Sequence, residues 1–342
     1  MKRSQPGLTR WPIAAVAASS FVMMLAGLAP GFAQQVGGKA VEIMRQSMTA
    51  RGQVDYSAVA AIVRYREGER HDARQMVLRQ QGDRECIKVL DGDGKLKFKR
   101  VSDGRTRWEH SVRHGRVMKM PLPPRAETLR KDLTNLEILA DNFELTLEGP
   151  GTVAGRVVHR ITITHPGPPR VLLRRLWIDE QNYLELKSEH YDDAGRATRS
   201  VTVERVNLQP QFDGTTFVFH LPDGLEPHEV RSSLYTGTAD KAAEKAGFKA
   251  VVPARTDRPP GFLLYKDLIK VREWEGKRVL WYQFTNGMRS YSVFQRQVQP
   301  APNEPNDRQG PRTFKARGFQ FTVMGSVQPD ELDKIKAGYE AP

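Results

Sequence analysis

From residue 61 to residue 208 one pattern dominates: short runs in which apolar and polar residues alternate, closed by turns bearing Gly or Asp. The first six runs are AIVRYR, RQMVLRQ, ECIKVL, KLKFKRV, RTRWEH and GRVMKM, and most are separated by signals such as Glu67-Gly68, Gly82-Asp83, Asp91-Gly-Asp-Gly94 and Asp103-Gly104. A period of two with short turns specifies consecutive antiparallel hairpins. Pro121-Leu-Pro-Pro124 interrupts the meander, and Arg125 to Phe143 returns to helical spacing, with Leu129, Leu133, Leu136, Leu139 and Ala140 on one side. Five further runs follow: FELTLEG, GRVVHRITITH, RVLLRRLWID, NYLELKSEHY and RATRSVTVERVNL. With a short amphipathic helix at Ala40 to Met48, residues 40–220 hold eleven strands and two helical pieces. One antiparallel sheet of that size twists too strongly to stay flat. The expected class is mainly β (α+β), a half-open antiparallel β-barrel covered by helices.

The pattern stops near Pro222-Asp-Gly-Leu225, and a helix at Ala239 to Ala246 opens a second unit. Its expected strands are FKAVV, FLLYKDLIKV, RVLWYQFT, RSYSVFQRQV and FQFTVMGSV, with Thr285-Asn-Gly-Met288 as a tight hairpin and Pro329 to Lys336 as a closing helix. Gln299 to Arg312, rich in Pro, Asn and charge, reads as a mobile loop. This second unit is a smaller α+β domain.

At the other end, Lys2, Arg3 and Arg10 precede an apolar run from Trp11 to Leu28, and Gly31-Phe-Ala33 supplies small residues for cleavage. This is the pattern of a secretory signal peptide, residues 1–33, with an uncleaved anchor as the alternative. The organisation expected is therefore 1–33 signal peptide, 34–230 large domain and 236–342 small domain, in an exported protein. The whole chain carries +13; the leader holds three of those charges and no acid, leaving +10. Outside the cytoplasm there is little nucleic acid, so anionic partners reduce to lipid phosphates and acidic protein surfaces. Cys86 is the only cysteine, so no intramolecular disulfide forms; its strand context reads as a buried, inert thiol.

Catalytic signatures are missing. There is no HExxH, GxSxG, GxxxxGK[ST] or paired CxxC, so neither catalytic residues nor cofactors nor a metal are expected. His110 and His114 straddle a turn with only Glu109 nearby, and Asp91-Gly-Asp-Gly94 lacks the remaining acids of a calcium loop, so a hairpin turn explains it better. Candidates for lining a lipid-sized cavity are Met76, Leu78, Trp108, Met118, Leu145, Leu147, Trp177 and Tyr183, with ordinary core packing as the alternative. The arginines of Arg170 to Arg175 and Arg196 to Arg205 read as a solvated face or a basic stripe for phosphates.

Two stretches resemble a known family. LWIDEQNYLELKSEHYDDAGRATRSVTVERVNLQPQFDGTTFVFHLPDG, residues 176–224, is similar to the late-barrel segment of LolA-type lipoprotein carriers and of the RseB/MucB regulators, with Leu-Trp-Ile-Asp, an Asp-x-x-Gly turn and a closing Phe-x-Phe-x-x-Pro. A simple carrier would end near 224, whereas TNGMRSYSVF and RGFQFTVMGSVQPDELDKI resemble the small C-terminal domain of RseB. At the start of the barrel the chain departs from that family, with Asp55-Tyr-Ser-Ala-Val-Ala60 in place of a Tyr-x-Gly-Thr-Phe-Val-Tyr strand. The resemblance implies a non-enzymatic negative regulator of the sigma-E envelope-stress response. Its large domain would sense lipid, lipopolysaccharide or an acylated or hydrophobic peptide, and its small domain would bind the periplasmic part of a transmembrane anti-sigma factor. Arg289, Tyr291 and Arg296 on the hairpin are the candidate partner-binding residues. A lipid or lipoprotein carrier of the LolA type is the alternative, and a secreted enzyme using the His110 region a third reading.

Overall fold

The computed structural model describes residues 30–341, apart from 67, 231–232, 267, 275 and 299–311. Helix α1 (Pro30–Ala50) comes first. Its C-terminal half is the expected Ala40 to Met48 helix, and the expected mature start, Gln34, falls inside it. Most of the leader and the expected mobile loop lie outside the described residues. Among the described residues no helix is long and apolar enough to cross a membrane.

All eleven expected strands form. A first meander runs through β1 (Tyr56–Arg66), β2 (Glu69–Gln80), β3 (Arg84–Asp91), β4 (Leu96–Asp103), β5 (Thr106–Ser111) and β6 (Arg116–Pro121). Helix α2 (Arg125–Asn142) interrupts it, and a second meander follows through β7 (Glu144–Val153), β8 (Arg156–Thr164), β9 (Leu172–Asp179), β10 (Glu185–Tyr191) and β11 (Ala197–Asn207). The two meanders join where β1 pairs with β11, and the short β12 (Pro227–Glu229) adds in parallel to β6. The result is one curved twelve-stranded sheet with β12 and β7 at its two edges, open rather than closed into a barrel.

Helices α1 and α2 cover one face of the β7–β9 end. Ala40, Ile43 and Met44 of α1 and Leu136 and Leu139 of α2 pack on Leu145, Ile161, Ile163, Leu176 and Ile178. Full burial of each large aliphatic side chain here contributes about 2 kcal/mol. This helix-covered face is called the inner face below.

The second sheet is built from β13 (Tyr235–Gly237), β14 (Leu263–Leu264), β15 (Ile269–Trp274), β16 (Lys277–Thr285), β17 (Ser290–Gln297), β18 (Thr313–Ala316) and β19 (Phe319–Gly325). Helices α3 (Ala239–Ala246) and α4 (Pro329–Glu340) cover one face of it, burying Leu280, Tyr282, Phe284 and Phe321. Two expected strands are corrected: FLLYKDLIKV, residues 262–271, is split between β14 and β15, and FKAVV, residues 248–252, is irregular. Its backbone is satisfied by a buried side chain instead of a ladder. Gln295 Nε2 donates to Lys249 O (2.7 Å), and Gln295 Oε1 accepts from Val251 N (3.0 Å) and the Tyr282 hydroxyl (2.6 Å).

The two sheets meet through α2. Asn135 Nδ2 donates to Gly287 O (3.0 Å), while its Oδ1 accepts from the Tyr265 hydroxyl (3.0 Å) and Thr285 Oγ1 (2.8 Å). Asn142 Nδ2 donates to Gly261 O and Asn286 O. Gly287, at φ +93°, lies so close to α2 that a Cβ there would fall 2.4 Å from Leu139 Cα.

The Asp of Leu-Trp-Ile-Asp is structural. Asp179 is fully buried, accepts from Arg156 through both carboxylate oxygens, and accepts from the backbone N–H groups of Gln181 and Asn182 (both 3.0 Å). Burial alone would raise its pKa; the Arg156 guanidinium and the two backbone donors overcome this and hold it below the ordinary value. A depressed carboxylate contributes stability above its unfolded pKa near 3.9, and that contribution is lost as pH falls through the folded value. Asp179→Asn is expected to destabilise the chain by about 2–4 kcal/mol in urea unfolding at neutral pH, with the deficit shrinking at strongly acid pH.

Candidate functional site

On the inner face, beside the packed cluster under the helices, the sheet leaves a cavity of about 230 Å³ below the last turn of α1. Pairing register explains its lining. Ala58 lies opposite Val77, Val77 opposite Ile87, and Ala60 opposite Val203, which places these side chains on one face. Ala58 and Ala60 are too small to fill the space that larger residues close elsewhere under the helices. The floor is apolar and the rim polar, formed by Ser47 and Arg51 from α1, Arg79 from β2 and Glu185 from β10.

The rim is a charged network. Arg79 pairs with Glu85 and donates from Nη1 to Arg51 O (3.0 Å). Glu185 lies 3.8 Å from Arg51 and 3.4 Å from Arg174. Burial would push the Glu185 carboxyl up, but Arg174 and then Arg51 pull it below its ordinary value, so it stays ionised. Register adds His190 and Arg199 to the same face, since His190 pairs with both Arg174 and Arg199. Arg51, Arg79, Arg174 and Arg199 therefore outnumber the two carboxylates of the network, Glu85 and Glu185, and an apolar ligand with an anionic head fits this arrangement. The volume lies below the roughly 300–1,000 Å³ of drug-sized sites, which leaves room for one short apolar group and no more.

Of the residues expected to line a cavity, none lines this one. Leu145 and Leu147 are on the inner face but inside the packed cluster under the helices, and Tyr183, in the left-handed region at φ +58°, packs against that cluster from the β9–β10 turn. Met118 shares the inner face, three strands beyond Ile87 along the row Ile87, Arg100, Glu109, Met118. The other four are corrected to the opposite face. Leu78, Cys86, Val101 and Trp108 form one cross-strand row there, and Met76 sits two residues from Leu78 on the same face. The Phe-x-Phe segment covers this row: Phe219 stacks on Trp108 (5.1 Å between centroids), and Phe217 and Phe212 pack beside Cys86 and Leu78. Trp177 alternates with Leu176 and Ile178, lies opposite Lys187, and carries the Lys187 ammonium over its ring at 4.2 Å.

The second set of expected residues is dispersed as well. Tyr291 is buried against Phe284 and Phe262. Arg289 makes a bidentate pair with Glu331 of α4 (2.9 and 2.7 Å), and Arg296 lies across the sheet from Gln320, donating to its Oε1. Asp91 Oδ1 accepts from the N–H groups of Asp93 and Lys95, which makes Asp91-Gly-Asp-Gly94 the β3–β4 hairpin turn. Among the described residues no group of three His, Cys, Asp or Glu side chains could hold a metal. Cys86 is buried, and burial pushes its thiol up. The expected arginine stripe is split by register, with Arg174 and Arg199 inside and Arg175 outside, near Glu148 and Glu189.

An open, helix-covered antiparallel sheet with a small apolar cavity, continued by a second α+β unit, defines a two-sheet α+β protein. The sequence model of the MucB/RseB N-terminal domain matches residues 39–221, and the chain belongs to that family. Similar solved structures include MucB, at 16% identity over 88% of this chain and 97% of that one, with a TM-score of 0.44. The MucA/MucB complex of Pseudomonas aeruginosa gives 17% identity over 87% and 96%, TM-score 0.49. A LolA superfamily protein from Nitrosomonas europaea gives 13% over 53% and 97%, TM-score 0.26. No curated protein sequence matches.

Two outcomes follow from this site. Ala60→Phe fills the cavity and is expected to weaken binding of a fluorescent alkyl probe more than tenfold, at an overpacking cost of about 1–3 kcal/mol seen in urea unfolding. His190 is held neutral, its pKa lowered to about 4 by burial and by Arg174 and Arg199. The unfolded chain protonates this residue near 6.5, so it binds more protons than the folded chain between these values, and stability falls as pH drops through that window. His190→Gln is expected to lose less of its urea midpoint between those two pH values than the parent chain.

Proposed function

We propose that this chain is a periplasmic regulator that grips the extracytoplasmic part of a membrane-spanning anti-sigma factor, and that its large sheet senses an apolar ligand which loosens the grip. Membership of the MucB/RseB family over residues 39–221 carries this reading. One similar solved structure is that of MucB in complex with MucA(peri). The cavity with its arginine rim supports the sensing half. The division into residues 1–33, 34–230 and 236–342, export through a cleaved leader, and the absence of catalysis belong to the same proposal.

The physics asks for one thing. A ligand shifts such an equilibrium only if it binds the free form better than the complexed form. Large sheet and small sheet share α2, so a change under α1 reaches the small sheet through one packed helix.

The processed chain, used as bait against solubilised inner membrane of its own host, is expected to recover a single-pass protein whose cytoplasmic part binds a sigma factor. Recovery of lipid or acylated proteins alone would replace the regulator with a carrier of the LolA type.

A further inference from the structure

The face of the second sheet turned away from α3 and α4 combines cations with aromatic side chains. Register places Lys270, Arg272 and Trp274 of β15 on it, followed by Lys277, Val279 and Trp281 of β16. It continues with Phe294 and Arg296 of β17, Thr322 and Met324 of β19, and Lys315 of β18. Five of these side chains are cationic, and among the described residues the strands place no Asp or Glu on this face. The aromatic residues form a ladder, with Trp281 stacked on Phe294 (5.6 Å) and the Arg272 and Lys270 head groups over the Trp281 ring at 4.3 and 5.0 Å. Trp274, at the end away from α2, is 56% exposed, and Met324, level with Ser292 and Gln283, is 51% exposed; both line a groove of about 540 Å³ together with Lys277 and Phe294. Two buried donors on the face, Arg272 Nε and Trp281 Nε1, have no hydrogen-bond acceptor.

We propose that this face docks on an anionic lipid bilayer. Its chemistry is that of a peripheral membrane surface: exposed aromatic and thioether side chains to enter the headgroup boundary, and Lys and Arg whose stems lie on apolar surface while their heads reach phosphates. The layout favours a bilayer over an acidic peptide. The cations are spread over β15, β16, β17 and β18, a width of about 19 Å at the usual strand spacing, which matches a plane of charge rather than a single extended segment. Docking this way would hold the chain at the membrane in which a spanning partner resides; the inference stands on this face alone and does not depend on that partner.

The test uses the processed chain and sedimented vesicles. Vesicles of phosphatidylethanolamine with phosphatidylglycerol are expected to bind it, pure phosphatidylcholine vesicles not, and added salt is expected to release it. Each basic residue near an anionic surface contributes about fivefold, so Lys277→Glu should weaken binding at least that much, and Trp274→Ser with Met324→Ser should weaken it further. These side chains are exposed, and an unchanged unfolding midpoint verifies the fold of each variant. Failure of the parent chain to bind phosphatidylglycerol vesicles, or undiminished binding by the variants, overturns the proposal. So does binding of polyglutamate, lost in the same variants, by a chain that ignores vesicles, which would make the face a site for acidic peptides.

Discussion

Helix α2 is held on two sides at once, and the arrangement of the molecule depends on it. Leu136 and Leu139 are buried in the inner-face cluster of the large sheet, while Asn135 and Asn142 on the same helix hydrogen-bond to the hairpin and loops of the small sheet. Leucine burial gives the helix its seat, and the two asparagines give it direction, because Asn135 uses its amide as donor and acceptor at once and Asn142 donates to two backbone carbonyls. Gly287 completes the joint: only a residue without Cβ lets the hairpin backbone approach α2 so closely at a positive φ. The insert that breaks the strand pattern at Pro121–Pro124 is thus the element both sheets share.

Much of the fold was legible because it is written in local signals. Alternation and turns mark β1 to β11 of the large sheet, the leucine spacing marks α2, and Pro329 with its acids marks α4. What was not legible depends on partners distant in sequence. Residues 248–252 have strand composition yet are irregular, since a buried Gln295 satisfies their backbone, and nothing within the segment announces that. The short β12, β13 and β18 are too brief to show a period.

The candidate site was legible only in kind. The expectation of a cavity on one face of a half-open sheet agrees with the space under α1, but choosing large aromatic residues to line it picked those that fill space rather than leave it. Trp108 closes the outer face against Phe219, and Trp177 carries Lys187. The usable signal was the opposite one, Tyr56-Ser-Ala-Val-Ala60, where the small residues Ala58 and Ala60 fall on one face at a spacing of two. Which face they serve depends on register, and a shift of one residue would have inverted it.

An apolar cavity rimmed by arginine is joined to a second sheet through one shared helix, and the regulatory reading requires that the two ends be coupled. Coupling is reciprocal in free energy, so it can be read from either site. The direct measurement is a calorimetric titration of the partner's periplasmic segment into the processed chain, with and without a saturating short-chain acyl phosphate. Binding at least fivefold weaker is expected when the acyl phosphate is present, with the same factor lost in acyl phosphate affinity when the partner is bound. An affinity for the partner that is unchanged while the cavity is filled would contradict this coupling.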